Sequence, residues 1–430
     1  MRRVNAESRH VTFLAGLFSV ALLLATGCST PQTTESPAAV TVFEGARLIV
    51  GDGSQPIESA AFIVENNRFT AVGQRGQLNV PAGASRVDLT GKTVMPAIID
   101  THKHLAQDRE GLVDALQRFA YYGVGVATSL GRDFDPAFQV REETIPNAAR
   151  LRTAGRGITG PEPGRSEDPY WIKTEAEART AVQELAQKRV DLVKMWVDDR
   201  NRTVTKLSPA LYTAVIDEAH KNNLRVTAHI FTLQDGKGLL RAGLDLFAHG
   251  VRDRDIDDEF VNLIKERPNM ILAPNLPDRG VKQDFSWLAD SIPAEELQKL
   301  QAESTDRPDA QKTFGIQARN LAKLNAAGVR IAFGTDGPIP WAAHVEMADM
   351  VAAGMTPAQV ITAATRNSAD LLQLTDAGTV AAGKSADFIV LDANPLDDIT
   401  NTRRISAVYL RGTAVDRAAL RARWTGRTTP

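Results

Sequence analysis

Between residues 94 and 335 the chain alternates eight short apolar segments with helix-length amphipathic stretches, and this alternation restricts its fold more than any other feature. The segments are Val94 to Asp100, Gly125 to Leu130, Arg150 to Ala154, Val190 to Val197, Arg225 to Ile230, Asp245 to His249, Met270 to Pro274 and Arg330 to Thr335. Helices are expected between them because their start signals are present. Thr174 and Glu177 have capping-box spacing. Ser208-Pro209 heads a stretch carrying Leu211, Val215, Ile216 and Ala219 on one face, and Thr356-Pro357 heads a helix ending near Leu372. Eight strand–helix units over roughly 280 residues fit a (β/α)8 TIM barrel, whose usual size is ~250 residues. A doubly wound open sheet is the competing α/β arrangement.

The flanks read differently. Val40 to Phe43, Arg47 to Val50, Ala61 to Val64 and Phe69 to Val72 are short strands broken by turns such as Gly51-Asp52-Gly53 and Glu65-Asn66-Asn67. A second strand-rich stretch, Asp387 to Leu391 and Ser406 to Leu410, lies at the far end. The expected organisation is therefore a barrel over 96–374 with a composite β-sandwich from 41–95 and 375–430.

The first residues read as a targeting segment. Arg2, Arg3 and Arg9 precede an apolar run from Val11 to Ala25, and Ala25-Thr26-Gly27 then leads to Cys28. The run is too short and too soon interrupted for a membrane-spanning helix. A small-residue triplet before a lone cysteine resembles the bacterial lipobox, which implies cleavage after residue 27 and lipidation of Cys28. An ordinary cleaved signal with an incidental cysteine is the alternative. Residues 28–40, rich in Ser, Thr and Pro, then form a flexible tether. The expected location is the bacterial cell envelope, periplasm or outer membrane, with the membrane engaged through the lipid. Cys28 is the only cysteine, so no disulfide forms within one chain. With 50 basic and 52 acidic side chains and no long run of one sign, nothing points to nucleic acid as a partner.

Polar residues stand where the strands end. His102 and His104 close the first strand, Lys194 the fourth, His229 the fifth, His249 the sixth and Asp336 the eighth. In a barrel these ends meet at one rim, where active sites form. Residues i and i+2 of a strand share a face, so His102 and His104 aim together while Lys103 points away. Neutral imidazole and carboxylate suit Zn²⁺ and similar ions. Outside this set, His344 is read as supporting or substrate-facing, Trp196 as lining the pocket or packing, and His220 as a surface residue.

These residues resemble the amidohydrolase superfamily, nearest its imidazolonepropionase and Xaa-Pro dipeptidase-like branch. The resemblance extends to Met355-Thr356-Pro357, to Ala363-Ala364-Thr365-Arg366-Asn367-Ser368-Ala369, and to the return from Gly378 to Leu391. It implies two divalent ions, with Zn expected, and a Lys194 carboxylated by CO2 that bridges them. His102, His104 and Asp336 would hold one ion, and His229 and His249 the other. It further implies a small-molecule substrate cleaved at a C–N amide bond, linear or cyclic, by a metal-activated hydroxide, with Asp336 moving the proton. Lactone hydrolysis and deamination use the same machinery, and a non-catalytic envelope lipoprotein is the alternative of another class. Two features depart from the dipeptidases where substrate would sit. Trp196-Val197-Asp198-Asp199-Arg200 replaces a small Gly-rich loop, and His229-Ile230-Phe231 lacks a second His. Arg252 and Arg254 follow His249 on the rim and either receive a substrate carboxylate or pair with Asp253, Asp255 and Asp257.

Overall fold

The computed structural model describes residues 40–426. The expected signal, Cys28 and the tether up to residue 39 lie outside the described residues. Among the described residues no helix is long and apolar enough to cross a membrane.

The two ends of the chain meet in one eight-stranded mixed sheet. Its order runs Thr413–Ala414, Ile405–Leu410, Phe388–Leu391, Thr93–Pro96, Thr41–Leu48, Ile57–Glu65 and Arg68–Gln74, with Ser85–Asp88 added alongside Thr41–Leu48. The seam between the ends is antiparallel, with Phe388 opposite Pro96 and Leu391 opposite Thr93. Phe43, Phe62, Phe69 and Phe388 interlock behind it with ring centroids 5.1–5.8 Å apart. Each ring is at most 1% exposed, and burial of such a side chain contributes ~1.5–3 kcal/mol.

The middle of the chain has a TIM-barrel-type α/β fold. Ile98–Lys103, Val124–Gly131 and Arg150–Arg156 pair in parallel. Val193–Val197, Val226–Ile230, Leu246–Phe247, Ile271–Leu272 and Arg330–Ile331 form a second parallel run. Backbone hydrogen bonds join the two runs at both seams. Asp191 N donates to Thr153 O at 2.9 Å, and Thr101 N donates to Phe333 O at 3.0 Å. The last three strands are shorter than their apolar segments. Beyond Ile331 the chain stays near its neighbours through Ala332 N to Leu272 O, 2.9 Å, and Asp336 N to His102 O, 2.9 Å.

The helices start where the sequence marks them. Thr174 Oγ1 accepts from Glu177 N, and Glu177 Oε2 accepts from Thr174 N, at the head of Glu175–Gln187. Ser208 caps Pro209–Lys221, which buries Tyr212, Val215, Ile216 and Ala219. The helix opened by Thr356 contains a wider turn at Ala363–Asn367. That turn sets Asn367 against Ile331 O at 2.8 Å and Ser368 Oγ against Phe333 N at 3.1 Å, which ties it to the last strand.

Candidate active site

The first and last strands create the centre of the site. Asp100, fully buried, accepts from His102 N at 3.1 Å, Thr335 N at 3.2 Å and Thr335 Oγ1 at 2.8 Å. Lys103 turns away from the imidazoles, into the protein. Its Nζ lies 3.0 Å from Asp100 Oδ2, 2.6 Å from Thr335 Oγ1 and 4.6 Å from the centre of the Phe119 ring. Gly334 permits the close approach, because a Cβ there would sit 2.4 Å from Asn275 Oδ1 and 2.9 Å from His102 Cβ. Asp336 follows with φ at 50°, a left-handed conformation rare outside glycine.

These contacts bring His102, His104 and Asp336 together. Asp336 Oδ1 lies 3.3 Å from His102 Nε2 and 3.1 Å from His104 Nε2. One ligand atom from each of the three falls within 4.8 Å of the others. His102 Nδ1 faces the Ala248 carbonyl at 3.3 Å. Asn275 Nδ2 lies closer to the same nitrogen, at 2.7 Å, while Nε2 is the nitrogen turned towards Asp336. His104 Nδ1 is buried with no hydrogen-bond partner among the described residues. The donor set therefore fits one divalent ion held by His102, His104 and Asp336.

Lys194, completely buried, places Nζ 3.2 Å from His102 Nε2 and 5.2 Å from the Trp196 ring. Among the described residues no carboxylate lies within ion-pair distance of it. Burial, together with Arg252 and Arg200, lowers its pKa to about 7 against the pull of Asp336. His229 and His249 are adjacent, with ring centroids 4.5 Å apart. His229 Nε2 lies 3.0 Å from Asp198 Oδ2, which leaves Nδ1 as the free nitrogen. Burial is the main cause that lowers the pKa of His102 and His249 well below the ordinary value and that of His229 to about 4. The imidazoles are thus neutral, the form that binds metal. Burial alone raises the Asp336 carboxyl, but the facing His102, His104 and His249 outweigh it and hold the group well below the usual carboxylate range.

The second ion expected at His229 and His249 meets a different environment. The guanidinium of Arg252 sits against His249 Nδ1. Arg200 Nη1 is 3.4 Å from His229 Nε2 and 2.8 Å from Asp198 Oδ2. Among the described residues, His102, His104 and Asp336 are the one group of three His, Cys, Asp or Glu side chains placed to hold an ion. As arranged, the residues do not fit a second divalent ion, because two guanidinium groups occupy that side of the rim.

A cavity of ≈ 390 Å³ opens beside His104, lined in part by Thr159, Glu162, Pro169, Trp196 and Arg200. Trp196 forms a wall of it. A Cβ on Gly157 would lie 2.2 Å from the indole, so glycine is required where the ring packs. The expectation for His344 is corrected. It is 1% exposed, with Nε2 3.0 Å from Tyr122 O and Nδ1 3.1 Å from Thr402 Oγ1, so both ring nitrogens are used in holding the fold together. The expected loop pairing of the two arginines is also split. Arg254 pairs with Asp253 at 2.7 Å, whereas Asp255 pairs with Arg319 and Asp257 with Lys237. Arg252 pairs with none of them.

Several site residues were not singled out from the sequence. Asp198 and Arg200 lie in the segment already noted as a departure, but nothing there assigned them to His229. Asp100 and Thr335 precede ligands by two and one positions, a signal that strand alternation could have supplied. Asn275, 2.7 Å from His102 Nδ1, had no sequence signal beyond following an apolar segment.

The strand ends that gather these groups in a TIM-barrel-type fold form a site of the kind hydrolases use. Residues 93–415 match the amidohydrolase family, and the chain belongs to it. It is similar to an imidazolonepropionase of Streptomyces griseus, 25% identical over 359 residues that span 78% of this chain and 86% of the relative. Its fold is similar to that of a Xaa-Pro dipeptidase with methionine bound in its active site, at TM-score 0.71 and 20% identity over 87% of this chain and 99% of the other. A molinate hydrolase superposes with TM-score 0.72 at 21% identity, covering 89% and 96% of the respective chains.

Proposed function

We propose that the protein is a metal-dependent hydrolase that cleaves a C–N amide bond of a small molecule bound in the cavity beside His104. The convergence of His102, His104 and Asp336 at the rim, with Lys194 Nζ 3.2 Å from His102, carries the reading. A divalent ion bound there, with Zn²⁺ the best match to the ligands, would polarise a carbonyl and activate a water. Asp336 presents Oδ1 to His102 and His104, and its Oδ2 lies 3.5 Å from His249 Nε2. Oδ2 is thus the atom to take a proton from the attacking water and return it to the leaving nitrogen. Trp196 walls the cavity, with its ring 5.2 Å from Lys194 Nζ.

Lys194 extends the reading. Burial without a counter-ion favours its neutral amine, the form that adds CO2 to give a carbamate. We read the terminal sheet, 41–95 and 375–430, as a composite β-sandwich beside a barrel of 96–374. We also propose that Cys28 carries lipid and tethers the protein to a bacterial envelope membrane, on the basis of the segment before it.

The test is full-length protein loaded with Zn²⁺, Mn²⁺ or Co²⁺ and screened against N-acyl amino acids, Xaa-Pro dipeptides, cyclic imides and lactones. Turnover of an amide that is lost on chelation and restored by metal is expected. Amide turnover unchanged in strong chelator, or turnover of lactones alone, would overturn the proposal.

A further inference from the structure

The family resemblance implies two ions, whereas the side chains fit one. We propose that the Arg252 guanidinium takes the place of the second divalent cation, so that the protein binds one ion per chain. This rests on the metal-site reading above but makes a separate claim about stoichiometry.

His249 is engaged on both ring nitrogens. Its Nδ1 lies against Arg252, and a guanidinium has donors only. The Nδ1 lone pair is therefore used, and the ring proton resides on Nε2, which faces Asp336 Oδ2 at 3.5 Å. Neither nitrogen offers a lone pair to an ion. Of the two histidines expected at the second position, only His229 keeps one, through its Nδ1.

The chain fixes Arg252 in this position. Its backbone N donates to Phe231 O at 2.9 Å, two residues after His229, which ties the loop after the sixth strand to the end of the fifth. Its side chain is drawn inward, and its Nε is buried without a hydrogen-bond partner among the described residues. The neighbouring aspartates that could have drawn it outward are engaged by Arg254, Arg319 and Lys237. Charge points the same way. Asp336 and Asp198 are the anions nearest in influence to Arg252, and Arg200 lies beside His229. Together the guanidiniums supply permanent positive charge to the acids that would otherwise bind a second ion. A divalent ion placed among them would face like charge at short range.

The experiment counts metal, so it does not depend on finding a substrate. Full-length protein is reconstituted with excess Co²⁺ and bicarbonate, freed of loose metal, and analysed by elemental mass spectrometry and electron paramagnetic resonance. One Co²⁺ per chain with an uncoupled high-spin signal is expected. Arg252→Met should raise the count towards two and introduce spin coupling, while Arg252→Lys, which keeps the charge, should stay at one. Circular dichroism confirms folding of each variant. Two coupled ions in the parent protein would overturn the proposal and leave the hydrolase reading intact, and no bound ion would overturn both. Arg252→Met that stays at one ion yet loses turnover of acidic substrates selectively, sparing their methyl esters, would also overturn it and make Arg252 a carboxylate receptor.

Discussion

Lys103 offers a demanding test of how the site is held. It lies between the two ligands of the first strand, its side chain is fully buried, and its partner Asp100 is equally buried at 3.0 Å. Asp100 in turn holds Thr335, the residue before Asp336. Lys103→Met keeps the length and apolar stem of the side chain and removes the charge. Asp100 is then a buried carboxylate with its cation gone, a change that costs about 3–5 kcal/mol. A chain of this size unfolds with an entropy of about 0.8 kcal/mol/K, so the thermal midpoint should fall by about 4–6 °C. Combining Lys103→Met with Asp100→Asn removes both charges and should recover most of the loss, since an uncharged pair is no longer penalised by burial. The assay is differential scanning calorimetry in chelator, followed by Zn²⁺ titration, in which the single variant should also bind more weakly because Thr335 loses its hydrogen bond from Lys103. A single variant that loses less than about 1 kcal/mol, or a double variant no more stable than the single, would refute the claim that this buried pair positions Asp336.

Reconstitution of metal-free protein should be faster with added bicarbonate, and Lys194→Ala should regain part of its metal binding with acetate; no bicarbonate effect would count against a carbamate. His344 should contribute to acid sensitivity. Burial, helped by Arg403, lowers its pKa from 6.5 to about 3, so the unfolded chain takes up the proton first as pH falls. Its contribution, on the order of 4 kcal/mol, is complete above pH 6.5 and is lost as pH drops towards 3. His344→Gln should therefore show a shallower acid limb in thermal midpoint against pH, and an unchanged limb would rule this out. Cys28→Ala should move the protein from the membrane to the soluble fraction without changing its melting behaviour, and equal membrane association of parent and variant would remove the lipid-anchor proposal.

The sequence by itself determined the parts governed by local periodicity and short-range chemistry. The capping residues Thr174, Ser208 and Thr356 announced their helices because a cap is a contact between residues three apart. The apolar segments announced strands, and the polar residues ending five of the eight announced the rim, since strand direction fixes where those ends meet. Only the tertiary structure decided which of those groups have free lone pairs. His344 read from the sequence as supporting or substrate-facing, but the fold buried it between Tyr122 and Thr402. Arg252 followed a ligand and could have paired with nearby aspartates, but those were engaged by Lys237, Arg254 and Arg319, two of them far away in sequence. Lys103 was legible as pointing away from its neighbours, but not as the counter-ion of Asp100. Spacing along a chain specifies which side chains share a face, whereas charge pairing in a closed interior depends on which distant groups arrive there first in space.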